Sequence, residues 1–302
     1  RVEGRKAVNP PKTGSVKKAV PAISAQRDAS RSGRRIVVFT AIAGGYDELK
    51  IPEARSDRCD FVCFTDRDIP GDRGWKLRPM DYLASEPARA ARYLKTHPHA
   101  YFQEYDWSIW VDANLLIKAD LAELVDGLER EGQVFATYVH PHRDCAYSEA
   151  AEVIARGLDT AERVDSQVQR YKNAGYPPNN GLAETNVLVR RHNDPRVLEV
   201  NLGWWREVEN GSHRDQLSLN FVAHKCLLKL GQLAKRGISV RNDPRFSRFL
   251  HGSESKYQLP DRIAEAIDST PASVPIWESK AGPGLTTPGD LALYDSIPVD
   301  IV

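Results

Sequence analysis

The chain has 302 residues, 41% of them hydrophobic, and a formal net charge of +1. That length suits one large α/β domain or two modest ones. No window offers the ~18 uninterrupted apolar residues of a membrane span, so the chain as given reads as soluble. Four cysteines (Cys59, Cys63, Cys145, Cys226) are too few for a disulfide scaffold. Cys59 and Cys63 lack the CxxC spacing of a zinc knuckle. Buried free thiols and a reducing, cytoplasmic compartment are expected.

Charge is unevenly spread. Residues 1–35 hold ten Lys/Arg against two Asp/Glu, whereas the remainder holds 32 against 39. With "NPPKTGS" and "SAQRDASRSG" and no apolar period, this segment reads as disordered. A linker to an upstream domain or a peripheral membrane contact suits it better than nucleic-acid binding. The first residue is Arg and no apolar leader follows, so a fragment or processed product is expected.

In chain order, "IVVFTAIA" (36–43) predicts a buried strand opening into the glycine loop "GGYDE", and "CDFVCFTD" (59–66) a second strand. "EPARAARYLKTHPHAYF" (86–102) starts as a helix that Pro98 stops. "WSIWVDANLLI" predicts the third strong strand, and "LAELVDGLEREG" (121–132) an amphipathic helix closed by Gly132. "QVFATYVH" (133–140) is a strand, residues 147–175 a long helix, and "NVLVRR" (186–191) a strand. "VLEVNLGWWREVEN" and "RDQLSLNFVAHKCLLKLG" are helices, and after Pro260 the chain becomes Pro/Gly/Ser-rich. The alternation predicts a mainly parallel sheet with helices on both faces over residues 36–260, followed by an extension over 261–302. Such sheets bind ligands at the carboxyl ends of their strands. Gly44, Gly45, Tyr46, Asp66 and Asp112 should therefore share one rim. No GxGxxG or GxxxxGK[ST] supports a dinucleotide fold or a P-loop.

Asp112 interrupts an apolar run, where an unpaired carboxylate would cost several kcal/mol. On a strand, Asp112 and Asn114 share a face, and two oxygen ligands there suit Mg²⁺ or Mn²⁺. An Asp capping the next loop, with Asn114 in a turn, explains the fragment equally well.

The segments "VVFTAIAGGYDELK", "CDFVCFTD", "ARYLKTHPHAYFQEYDWSIWVDANLLI", "HPHRDCAYSEA", "NNGLAETNVLVRRH" and "WWREVENGSHRDQLSLNF" run in one order through residues 36–225. They resemble the glycosyltransferase-like domain shared by the plant turgor-regulation ceramidase and mucilage hexosyltransferase family (domain of unknown function 616). The layout also looks like GT-A glycosyltransferases of family 8, which bind Mn²⁺ and a nucleotide-sugar diphosphate through D-x-D. Here Asn114 stands at the second acidic position, which puts the metal in question. The resemblance implies that His251 completes the metal site and Lys256 meets a phosphate, from "HGSESKY", although the motif's glycine is displaced to Gly252. An exposed loop is the alternative.

"RDQLSLN" is similar to the D-Q-D-x-L-N segment beside the donor sugar, which implies roles for Asp215 and Gln216 in the chemistry. The competing reading is a helix N-cap box of Ser212 and Asp215, in which Asn would replace Asp215 well. Arg89, Arg92 and Lys95 recur every three residues, and the resemblance makes Arg92 and Lys95 the donor contacts. It further implies Tyr46 stacked on uracil, Thr40 and Ala41 lining the base, and Asn180 and Glu184 near the sugar. Arg143 and Asp144 would shape the sugar or acceptor pocket, and Trp204-Trp205 read as core. His140, His142 and Cys145 can ligate zinc, but nothing visible closes a tetrahedron.

The function expected is hexose transfer from a UDP-linked sugar to a glycan or lipid-linked acceptor, with Mn²⁺ or Mg²⁺. A ceramidase-like lipid amidase is one alternative. A nucleotide-sugar-binding domain without turnover is the other.

Overall fold

The computed structural model describes residues 35–69, 71, 73–82, 84–235 and 237–251. These all fall in one compact unit, Gly33–Val302. Three strands build the first half of the sheet: β1 (Ile36–Ile42), β2 (Cys59–Thr65) and β3 (Lys76–Pro79). The helices α1 (Pro87–Thr96) and α2 (Pro98–Tyr101) lead into β4 (Trp107–Val111) and the short β5 (Leu115–Ile117). Then come α3 (Ala122–Arg130), β6 (Phe135–Val139), α4 (Ala146–Ala155) and α5 (Ala161–Asn173). β7 (Ala183–Arg190), α6 (Pro195–Asn210), α7 (Gln216–Lys225), β8 (Gly231–Gln232) and β9 (Phe246–Arg248) follow.

Seven strands form the main sheet in the order β3-β2-β1-β4-β7-β6-β8. Every pairing is parallel except those of β7, which runs against β4 and β6. The mainly parallel α/β architecture expected of a GT-A-like domain is therefore present. β1 is β-branched and buried throughout because both its faces are covered. Its alternate residues enter opposite cores: Val37, Phe39 and Ala41 meet α1, α6 and α7, while Ile36, Val38 and Ile42 meet α3.

The observed elements depart from expectation in three ways. The strand "WSIWVDANLLI" is two strands, since the chain leaves the sheet at Asp112 and β5 pairs with β9 in a separate ribbon. The long helix of 147–175 breaks into α4 and α5 around Gly157, whose positive φ of 62° suits a left-handed residue. β3, β8 and β9 were not foreseen, because two to four residues carry too little period to read.

Burial also buries histidines. His97 and His192 are held neutral, with burial lowering each to about 4. Their folded values lie below the ordinary 6.5, so their stabilisation is full above pH 6.5 and is lost as pH falls towards 4. Each should cost about 2 kcal/mol by pH 5. Urea midpoints at pH 7 and pH 5 check this. A variant carrying Gln at both positions should show a visibly flatter dependence.

Candidate active site

The carboxyl ends of β1 and β4 open on a common cleft of about 550 Å³. After β1 the chain turns through Gly44 and Gly45, whose φ angles of 67° and 65° are open to glycine at little cost. Asp66, after β2, accepts the Gly44 N–H at 2.7 Å and pins that turn. The turn delivers Tyr46, which is 57% exposed, and Asp47 to the cleft.

Asp112 and Asn114 also line the cleft, but from a turn rather than a strand face. The Asp112 carbonyl accepts the Leu115 N–H at 3.0 Å, which closes that turn. The Asp112 carboxylate accepts the Trp110 indole N–H at 2.7 Å and lies 3.7 Å from the Lys95 ammonium. Asn114 donates both amide hydrogens, to the Phe249 carbonyl (3.0 Å) and to His251 Nε2 (3.1 Å). His251 therefore carries its proton on Nδ1, facing Asp47 at 3.0 Å, and stacks on Tyr46 at 5.4 Å. An Asp at 114 would set a carboxylate against a carbonyl and an imidazole lone pair. Asn114→Asp should accordingly cost about 1–3 kcal/mol. Equal urea stability of variant and wild type would contradict this account of the asparagine.

Beneath this rim lies a buried charge cluster. Lys95, 1% exposed, reaches Asp215 at 2.5 Å, and Arg92 lies 3.2 Å from the other oxygen of that carboxylate. Thr185 donates to Asp215 at 3.0 Å. Burial opposes ionisation of Asp215, but Arg92 and Lys95 outweigh it and hold the carboxyl far below its usual range. Burial also pulls Lys95 down, against Asp112 and Asp215. Asp215 occupies the N-cap position of α7 without capping it through its side chain, so the cap-box reading does not hold. Arg89, on the same helix face by spacing, instead binds Glu86 and the Gly211 carbonyl.

The remaining expected residues divide. Ala41, Gln216 and Glu184 line the cleft, with Glu184 buried and paired to Arg241. Thr40 is buried with its hydroxyl unpartnered and is not part of the lining. Asn180 is exposed near Tyr176, away from the cleft. Lys256 lies outside the described residues. His140 spends Nδ1 on the backbone N–H groups of His142 and Arg143. Among the described residues no three His, Cys, Asp or Glu converge on a metal position, so His140, His142 and Cys145 form no zinc site there. The four cysteines are free thiols. Trp204 and Trp205 are core. Among the described residues no helix is long and apolar enough to cross a membrane.

Sequence reasoning missed Asp47, His213, Arg214 and Thr185 as cleft residues. Asp47 had a signal, lying directly after Tyr46 in the glycine loop. Of the expected ligands, His251 spends both ring nitrogens, on the Asn114 amide and toward Asp47, so the Asp112 and Asp47 carboxylates are the donors that suit a hard divalent ion in kind. Any such ion needs phosphate or water oxygens to complete its shell.

A charged cleft thus lies at the strand ends of a mainly parallel α/β sheet. Residues 75–238 match the family described as "TOD1/MUCI70, glycosyltransferase-like domain", and the chain belongs to that family. It is 27% identical over 223 residues to an Arabidopsis thaliana protein named "Probable hexosyltransferase MUCI70". That match covers 65% of this chain but only 38% of the plant protein. Similar solved structures include two glycosyltransferases. One is the apo WbbM bifunctional glycosyltransferase, at 13% identity and TM-score 0.40, with 68% of this chain and 39% of that one covered. The other is apo mouse xyloside xylosyltransferase 1, at 11% identity and TM-score 0.35, with 66% and 84% covered.

Proposed function

We propose that the domain transfers a hexosyl group from a UDP-linked sugar to a glycan or lipid-linked hydroxyl, with Mn²⁺ or Mg²⁺ bound at the rim. The observation that carries this reading is the cluster of Lys95, Arg92, Asp215 and Asp112 beneath a cleft of sugar-nucleotide size. In the transfer, the bond between the anomeric carbon and the diphosphate oxygen breaks, and its electron pair leaves with the diphosphate. The acceptor oxygen bonds to that carbon and loses its proton.

Asp215, ion-paired and strongly acidic, is a poor base for that proton at neutral pH. Its role is to hold Lys95 and Arg92 rigidly where charge develops. Gln216, whose amide donates to the Ala183 carbonyl at 3.2 Å, is a fixed neutral dipole at the cleft wall. Tyr46 offers an exposed ring for a base. Asp112 and Asp47 would hold the ion, which would neutralise the leaving diphosphate.

Charge balance favours this arrangement. Six arginines and six carboxylates line the cleft among the described residues, so it offers a diphosphate little net attraction of its own. The test is calorimetry of UDP-sugars with and without Mn²⁺, followed by donor hydrolysis in the absence of acceptor. Metal-dependent binding and hydrolysis are expected. Binding without turnover would favour a binding domain, and ceramide cleavage would favour the amidase.

A further inference from the structure

Hexosyl transfer leaves one proton unassigned, that of the attacking hydroxyl. The six carboxylates of the cleft are poorly placed to take it. Glu149 faces Arg143, Glu152 faces Arg156, Glu184 faces Arg241, and Asp215 faces Lys95 and Arg92. Asp112 lies against Lys95, and Asp47 against His251. Each therefore spends its charge on a partner.

Three histidines line the same cleft. His251 uses both ring nitrogens, on Asn114 and toward Asp47. His140 accepts two backbone N–H groups at Nδ1, so its other nitrogen carries the proton. His213 is different. Its Nδ1 lies 3.1 Å from Asp159 Oδ2 and 3.7 Å from Glu86 Oε2. Neither contact is a hydrogen bond, so among the described residues Nδ1 is a buried polar atom without a partner. Asp159, its side chain 1% exposed, is fixed by the Ser212 hydroxyl at 2.7 Å and the His213 N–H at 3.1 Å. Two carboxylates at the Nδ1 edge keep the neutral ring's proton on that nitrogen by charge. The Nε2 lone pair is left over, on a partly exposed ring that lines the cleft two residues before Asp215.

We infer that His213 Nε2 is the base that takes the proton of the attacking hydroxyl, with Asp159 and Glu86 stabilising the imidazolium that forms. The inference rests on the hexosyl-transfer reading and completes its proton balance. The acceptor oxygen bonds to the anomeric carbon, and the diphosphate leaves with the electron pair of the broken bond. The hydroxyl proton moves to Nε2, and the imidazolium later returns it to water. Burial pulls His213 below its ordinary value, Asp159 and Glu86 oppose this, and Arg214 and Arg92 assist it. Arg163, 2.8 Å from Asp159 and 3.6 Å from Glu86, completes the charges around the ring. The ring is therefore neutral at pH 7, as a base must be.

The experiment uses water as the acceptor and follows UDP release from UDP-glucose and UDP-galactose in Mn²⁺. It compares wild type with His213→Asn and His213→Gln in the full chain. Asn keeps an amide N–H near the Nδ1 position and Gln one near Nε2, but neither takes a proton. Both should release UDP about a hundredfold more slowly, with donor affinity by calorimetry within about twofold of wild type. The wild-type rate should fall as pH drops below the ordinary histidine value of about 6.5, and both variants should lack that limb. Melting curves confirm folding, and should one variant fail to fold, the other carries the comparison. A wild-type rate in a folded variant, a slower rate with the acid limb intact, or a loss confined to donor affinity overturns the base and leaves the transfer reading standing. No UDP release by wild type from either donor overturns the transfer reading, and the base falls with it.

Discussion

Asp215→Asn is expected to lower stability by about 3 kcal/mol and to abolish transfer at the same time. The substitution keeps size and leaves an oxygen for the Thr185 hydroxyl, which donates at 3.0 Å. It removes the charge that holds Lys95 at 2.5 Å and Arg92 at 3.2 Å. Two cations then share a buried space, with Asp112, 3.7 Å from Lys95, and the weaker pull of Asp47 on Arg92 left to oppose them. Breaking one side of a buried pair is costly because the partner is left uncompensated. The double variant Lys95→Met/Asp215→Asn should regain much of the lost stability, since it deletes the stranded ammonium as well. It should regain no activity. Urea denaturation and transfer rates on the two variants check both halves. A single variant as stable as wild type would show that the cluster tolerates losing its centre.

The pH behaviour follows from the same network. Asp215 has a depressed folded value, so its stabilisation is present above the unfolded carboxylate value near 3.9. It is lost only as pH falls through a folded value far below that. Neutral His97 and His192, at about 4 when folded, begin to cost stability below pH 6.5. Acid destabilisation should therefore begin with the histidines, not with the carboxylate at the centre of the site.

What could be read in the sequence was whatever repeats or is densely apolar. β1, β2, β4 and β7 announce themselves as β-branched and aromatic runs buried throughout or nearly so. Placing their polar followers at one rim brought Tyr46 and Asp112 to the cleft correctly. The spacing of Arg92 and Lys95 was legible, but their partner was not. Asp215 lies 120 residues beyond Lys95, and no local pattern ties a helix start to a helix face that far away. Period two also misled at Asp112: it assumes a strand continues, and this one ends at Val111. The role of Asn114 was hidden for a related reason. Its partners, Phe249 and His251, arrive through β9, a three-residue strand with no readable signal.

Asp112→Asn should separate the rim from the cluster beneath it. The asparagine oxygen can still accept the Trp110 indole N–H, which now donates at 2.7 Å. Lys95 keeps its closer partner, Asp215. Stability should therefore change by only about 1 kcal/mol. Donor binding should respond quite differently. If Asp112 faces a divalent ion bridging to a diphosphate, losing its charge should weaken UDP-sugar binding in Mn²⁺ by at least about a hundredfold. Binding after chelation should be equally weak in both proteins. The alternative is that Asp112 serves only as a distant partner of Lys95. Variant and wild type would then show the same Mn²⁺ dependence, and any loss would appear in the melting curve instead. Calorimetry with Mn²⁺ and with chelator, beside a urea curve, distinguishes these outcomes. Equal affinity in Mn²⁺ would remove the metal from the proposed mechanism and leave charge neutralisation at the diphosphate to Arg92 and Lys95.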